Sequence, residues 1–213
     1  MREITFSAAG VSKIFNRRRI LSDIHFSLQT THSLAITGRN GSGKSTLVKI
    51  LSNVLSPTRG TIDLTIDGKP IPVVERFNYL GFVAPYLHLY DEFTGWENLH
   101  LFRNIRGLDI PVEFLGELLQ RVNLLERKDD VVRTYSSGMK QRLKYAFALL
   151  HRPPILILDE PRSNLDAEGI ATAYAIIEEQ KQRGIVIIAT NDHDDLAHCE
   201  HIISLNIGNG AKE

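Results

Sequence analysis

Lys44 and Ser45 close the run "GRNGSGKST", Gly38 to Thr46, which fits the spacing G-x-x-x-x-G-K-S/T. Residues of these types in this order make a phosphate cradle. Glycines let backbone N–H groups turn inward around phosphate oxygens, and the N-terminus of a following helix adds partial positive charge. Lys44 then supplies a point charge for β- and γ-phosphates, and Ser45 a hydroxyl for Mg²⁺. The candidate nucleotide-binding residues are therefore Gly38, Arg39, Asn40, Gly41, Ser42, Gly43, Lys44, Ser45 and Thr46. Most Gly-rich turns before helices are only turns. The Lys-Ser pair and the apolar "SLAIT" just upstream make this one specific.

Two further stretches carry matching chemistry. "ILILDEP" places Asp159 and Glu160 at the C-terminal end of an apolar run, where open α/β sheets bind their ligands. Asp159 suits Mg²⁺, as does Ser45, and Glu160 suits the general base that takes a proton from an attacking water. Alone, such acids are as readily a strand's exit into solvent; beside a phosphate loop that reading loses ground. "YSSGMKQRL", Tyr135 to Leu143, is a helix N-terminus preceded by small hydroxyl residues, a second anion-binding arrangement. A Ser N-cap on an amphipathic helix holds there in either case.

The elements that must position these residues follow from periodicity. Ile4, Phe6, Ala8 and Ile24, Phe26, Leu28 alternate as half-buried strands, as do Ile62, Leu64 and Ile66. "SLAIT" is a more continuous apolar run that feeds the Gly-rich turn, and "ILILD" and "IVIIAT" are short apolar runs of the kind buried on both faces of a parallel sheet. From about Trp96 to Val132 the pattern turns helical and is broken at Pro111. Another helix spans Gly138 to Leu150, and Gly184 is expected to cap the helix that carries Ile170, Ala173 and Ile177. Strands alternating with helices predict an α/β fold around a mostly parallel sheet, with an antiparallel β part at the N-terminus and an inserted helical part.

Bulk numbers narrow the function. Lys+Arg and Asp+Glu are both 25 in 213 residues, so no basic field points to nucleic acid, and Arg17 to Arg19 read as a solvated turn. One cysteine, Cys199, provides no disulfide framework and suits a reducing compartment, with the cytosol as the default. No apolar run reaches the roughly 18 residues that span a bilayer. The start lacks a signal-peptide layout, so membrane association is expected only through a partner.

The order of "GRNGSGKST", "YSSGMKQRL", "ILILDEP" and "SNLD" (Ser163 to Asp166) resembles the ATP-binding subunits of ABC transporters, over nearly the whole chain. The resemblance implies a RecA-like P-loop NTPase core, about 1–84 and 154–213, with a helical subdomain of about 85–153, all within one domain of 1–213. It implies that Phe15 stacks on adenine, and that Ser136 and Gly138, matching the Ser and second Gly of the LSGGQ signature, contact the γ-phosphate held by an opposite subunit. ATP and Mg²⁺ are then the cofactors. The partners are a second copy, as a head-to-tail homodimer, and a transmembrane permease docking near Phe93 to Arg106 on the cytoplasmic face of the inner membrane. "SNLD" would link the two sites, and "YSSGMKQRL" points loosely to small subunits of haem-handling exporters in cytochrome c maturation.

Tyr135, Ser137 and Met139 depart from the LSGGQ signature while leaving its backbone and hydroxyl contacts possible, and two further positions fail the wider pattern. Pro85 stands where the family has a Gln near Mg²⁺ and the attacking water, and proline has neither side-chain amide nor N–H. Asn191 stands in "IIATNDHDDL" where the family has a His that touches the γ-phosphate; its amide still donates to a phosphate oxygen but carries no proton. His193, in an extended segment, would lie roughly 7 Å further along. Contiguous Asp192, His193, Asp194 and His198 suit a metal poorly, so we read Asn191 as the phosphate contact, catalytic with Lys44 and Glu160, and the other charges as mainly surface. Two alternatives are an ATP-gated binding module with little hydrolysis and a soluble non-transport ABC ATPase. Intact Glu160 weighs against the first, and the missing basic excess against the second.

Overall fold

A computed structural model describes residues 2–205. The chain runs β1 (Ile4–Phe15), β2 (Arg18–Gln29), β3 (Ser33–Thr37), α1 (Lys44–Leu51), β4 (Arg59–Ile66), β5 (Lys69–Pro70) and β6 (Leu80–Val83). It continues through α2 (Gly95–Ile105), α3 (Glu113–Arg121), α4 (Ser137–Leu149), β7 (Ile155–Asp159), α5 (Ala167–Lys181), β8 (Ile185–Ala189), α6 (His193–Leu196) and β9 (His201–Ser204). The N-terminal alternating segments form an antiparallel sheet in the order β2-β1-β4-β5. Asn16 and Arg17, both at positive φ, make its tight first turn; of the basic cluster only Arg17 lies in that turn, while Arg18 and Arg19, equally exposed, begin β2.

The three continuous apolar runs lie side by side in a second sheet, order β6-β7-β8-β3-β9, all parallel. Every residue of β7 and β8 is buried. Their alternation is hidden from sequence but real: Ile155, Ile157, Ile185 and Ile187 pack on one core with Leu47, Val48 and Leu51 of α1. Leu156, Leu158, Val186 and Ile188 pack on the other, with Leu99, Leu118 and Leu143 of the helical part. Both faces are covered, as parallel sheets require. Register then sets the site. Ile36 and Asp159 both stand opposite Ala189, so the loops after β3, β7 and β8 leave the sheet at one edge.

Pro111 does separate α2 from α3, while Val122–Val132 is turns and short 3₁₀ helix rather than α-helix. Thr94 and Glu97 cap α2 reciprocally, at 3.0 and 2.8 Å. Gly184 is not a left-handed cap. Helix α5 is already capped at Gln182, and a Cβ at Gly184 would lie 2.0 Å from the Pro154 carbonyl, so close backbone approach is what demands glycine there.

His151, just after α4, accepts from the Arg106 guanidinium at 3.0 Å through Nδ1, with Nε2 3.1 Å from the Leu80 carbonyl. Burial, then the Arg106 charge, lowers its pKa to about 4. Because the folded value lies below the unfolded one of about 6.5, its stabilising effect is complete above pH 6.5 and is lost as pH falls toward 4. Between pH 7 and 5 this group should remove about 2 kcal/mol. Urea unfolding of the parent and of His151→Gln at the two pH values should differ in pH dependence by about that amount.

Candidate functional site

Gly38, Gly41 and Gly43 all have positive φ, at 148°, 80° and 102°. At Gly38 the demand is double, because a Cβ would also meet the Leu205 carbonyl at 2.5 Å and Ser42 Oγ at 2.6 Å. Lys44 begins α1 and is buried; its Nζ donates to the Gly38 carbonyl at 2.8 Å and to Asn191 Oδ1 at 2.9 Å. Asn191 Nδ2 in turn donates to Asn40 Oδ1 at 2.6 Å. The loop, its lysine and the residue after β8 thus form one polar network.

Parity explains the meeting. Asp159 continues the face of Ile155 and Ile157, and Asn191 that of Ile187 and Ala189, which is the face toward α1. Asp159 is buried and neither carboxylate oxygen has a hydrogen-bond partner. Burial raises its pKa; the Ser45 and Tyr86 hydroxyls facing it, with Lys44 and Lys49, oppose that rise. Two orphaned carboxylate oxygens beside a serine hydroxyl are hard oxygen donors, a set that fits Mg²⁺. Glu160, next along, turns out of the strand with φ of 49° while its N–H holds the Ala189 carbonyl at 2.8 Å. Burial raises its pKa, and Lys44 lowers it. That environment suits a base poised above the ordinary carboxylate range.

The segment at Pro85 has its own arrangement. Lys144 Nζ donates to the Pro85 carbonyl at 2.7 Å and to Ala84 at 3.2 Å, and Lys49 sits 4.3 Å over the Tyr86 ring. No side-chain amide is available, but the neighbouring Tyr86 turns its hydroxyl toward Asp159; burial first, and then the Asp159 charge, raises the phenol pKa.

The segment after Asn191 is not extended. Asp192 caps the short helix α6, which starts at His193, and His193 is exposed. As expected, the charges are mainly surface, with Asp192, His193 and Asp194 exposed; Asp195, next in line, is the exception. Asp195 is buried, accepting from Thr190 Oγ1 at 2.6 Å and Tyr174 at 2.9 Å, and Arg162 binds both Asp192 and Asp194. His198 Nδ1 lies 2.7 Å from Glu178. These side chains are engaged with one another and with α5, not directed at a shared ligand.

Phe15, Asn40, Gly41, Gly43, Lys44, Ser45, Thr46 and Glu160 together line a cleft of about 390 Å³. Arg39 is exposed on the loop and outside the cleft lining, and Ser42 packs under it. Ser136 and Gly138, at the start of α4, do not line it either. Ser136 Oγ caps the helix by accepting from Met139 N–H at 3.2 Å, and Gly138 lies against the Asn164 carbonyl, which a Cβ would meet at 2.8 Å. A larger apolar cavity, about 430 Å³, opens elsewhere, among Phe77, Leu80, Phe82, Phe102, Phe147 and His151.

Among protein families, the one described as "ABC transporter" matches residues 21–163. The chain belongs to this family. It is 33% identical over 213 residues to an uncharacterized ABC transporter ATP-binding protein, YdbJ, of Bacillus subtilis (strain 168), covering 98% of this chain and 68% of that one. It is 32% identical over 201 residues to the lipoprotein-releasing system ATP-binding protein LolD of Shewanella frigidimarina, covering 89% and 83%. Its fold matches the dimeric ATP-binding cassette MJ0796 in a post-hydrolysis state bound to ADP and Pi, with a TM-score of 0.84, 23% identity and 95% coverage of each chain. This ABC chain is an ATP-binding domain with the α/β RecA-like architecture.

Three residues of this ABC domain escaped sequence reasoning. Tyr86, Arg162 and Lys144 each act on a partner roughly 30 to 75 positions away, and nothing in their local patterns announces it. Only Tyr86 left a trace, being adjacent to the anomalous Pro85.

Proposed function

We propose that this ABC subunit binds ATP with Mg²⁺, closes on a second copy around two nucleotides, hydrolyses them, and so powers a separate transmembrane permease. The observation that carries this reading is the convergence of Lys44, Ser45, Asp159, Glu160 and Asn191 at one sheet edge beside the cleft. Phe15 stands at the cleft's rim to stack on adenine, and the N–H groups of Gly41 to Thr46 with Lys44 bind the phosphates. Ser45 and Asp159 would hold Mg²⁺, whose positive charge would offset that of the phosphates. Glu160 orients the attacking water and takes its proton, while Asn191 exchanges its Nδ2 bond to Asn40 for one to the γ-phosphate and keeps Oδ1 on Lys44.

Ser136 and Gly138, exposed or half-buried away from the cleft, complete the partner's site in a head-to-tail homodimer. The MJ0796 cassette is described as dimeric and bound to ADP and Pi, which supports that reading. We read residues 1–213 as one domain, with a core of about 1–84 and 154–213 and a helical subdomain of about 85–153; residue 1 and residues 206–213 lie outside the described residues. The permease docks over the 430 Å³ apolar cavity and α2, where Val74, Phe77, Tyr90 and Ile105 are exposed. Among the described residues no helix is long and apolar enough to cross a membrane, in keeping with attachment through that permease on the cytoplasmic face of the inner membrane. The haem-exporter type is the finer reading suggested by "YSSGMKQRL".

Steady-state ATP hydrolysis with Mg²⁺ tests the proposal. Activity should rise more than linearly with protein concentration, because each cleft needs a partner's Ser136 and Gly138. Linear dependence would sink the shared-site reading. Dimerisation on ATP without turnover would favour the ATP-gated module.

A further inference from the structure

Arg162 lies two residues beyond Glu160 and has no part in the chemistry above. Its Nη1 is 2.7 Å from Asp192 Oδ2 and 2.9 Å from Asp194 Oδ2, and its side chain is only a quarter exposed. An isolated surface ion pair is worth little. Here one guanidinium grips two carboxylates of a single turn, and Asp192 is simultaneously engaged through Oδ1 in capping the Asp194 N–H at 2.9 Å. The Arg162 guanidinium also lies 6.0 Å from the Tyr174 ring centre, and Tyr174 joins Thr190 in holding buried Asp195. Asn191 is therefore bracketed, with Thr190 anchored on one side and Asp192 clamped on the other. Between them its amide reaches Lys44 and Asn40. The loop that carries Arg162 continues to Asn164, whose carbonyl packs against Gly138.

We propose that Arg162 is a positioning residue that ties the loop after Glu160 to the loop after β8 and thereby sets the amide of Asn191 for recognition of the terminal phosphate. One loop then touches the start of α4 at one end and governs the phosphate sensor at the other. The inference rests on reading the cleft as an ATP site, and it makes Arg162 a determinant of ATP over ADP rather than of nucleotide binding as such. The ordinary function of such a pair, bracing a surface turn, would affect both nucleotides alike.

The test is competition of ATP and ADP against a fluorescent nucleotide, in a Glu160→Gln background so that nothing turns over. Adding Arg162→Ala should lower the ratio of ATP to ADP affinity about fivefold, the size expected for losing a coupling of roughly 1 kcal/mol. ADP affinity should stay unchanged, Arg162→Lys should recover part of the ratio, and Asp192→Asn should add little to Arg162→Ala because the two act through one contact. An unchanged ratio, or equal weakening of both nucleotides, overturns the positioning role while leaving the ATP site intact. If the Glu160→Gln protein binds neither nucleotide, the ATP-site reading falls and this inference with it.

Discussion

Glu160→Gln is expected to reduce ATP turnover at least about tenfold, and by as much as a thousandfold, while leaving ATP binding intact. The substitution keeps shape and removes only the capacity to accept a proton. The unusual backbone of Glu160, at φ of 49°, is held by its N–H bond to the Ala189 carbonyl, which the exchange does not touch. Burial raises the carboxyl pKa and Lys44 restrains the rise, so the side chain is a stronger base than an exposed glutamate. With hydrolysis blocked, the ATP-bound dimer should accumulate. Size-exclusion chromatography with ATP and Mg²⁺ should show it for the variant and not, or only transiently, for the parent. A variant that turns over at the parental rate would mean that the base lies elsewhere, and Asp159 could then not serve while holding the metal.

The second large effect is expected at Lys44. Lys44→Ala should weaken ATP binding about a hundredfold, as follows from losing two charge-assisted hydrogen bonds to phosphate at roughly 1.5 kcal/mol each. In this structure the ammonium is buried and shared between the Gly38 carbonyl and Asn191 Oδ1, so it is already placed at the mouth of the loop and needs no ordering on binding. Removing it also frees Asn191 from one of its two partners, which leaves the sensor less defined. Equilibrium titration with a fluorescent ATP analogue measures the loss directly. An affinity within about threefold of the parent would show that backbone N–H groups alone carry the phosphate, against the expectation from the charge.

Much of this protein could be read from short stretches, because the controlling interactions there are local. A strand, a turn of glycines and a helix N-terminus form the phosphate loop within about a dozen consecutive residues, so residue type at each position dictates backbone and chemistry together. "ILILD" and "IVIIAT" announced buried parallel strands because their interiors are apolar on both faces. The same local logic placed Asp159 and Glu160 at a strand's C-terminal end and Ser136 at a helix cap.

What the tertiary structure decided was everything that depends on register between distant strands. Asp159 and Asn191 face α1 together because β7 and β8 pair with Asp159 opposite Ala189; a shift of one residue would put them on opposite faces of the sheet. That pairing brings Arg162 to Asp192 and ends the extended reading of "NDHDDL", whose charges look like a solvated turn until α5 and Arg162 stand beside them. In the same way, the placement of β6 beside β7 puts Tyr86 near Asp159 and lets Lys144 hold the Pro85 carbonyl. Sequence alone determined which residues could do phosphate chemistry, since that is a property of side chains and local backbone. Packing decided which of them meet, since strand pairing and core burial act across more than a hundred residues of chain.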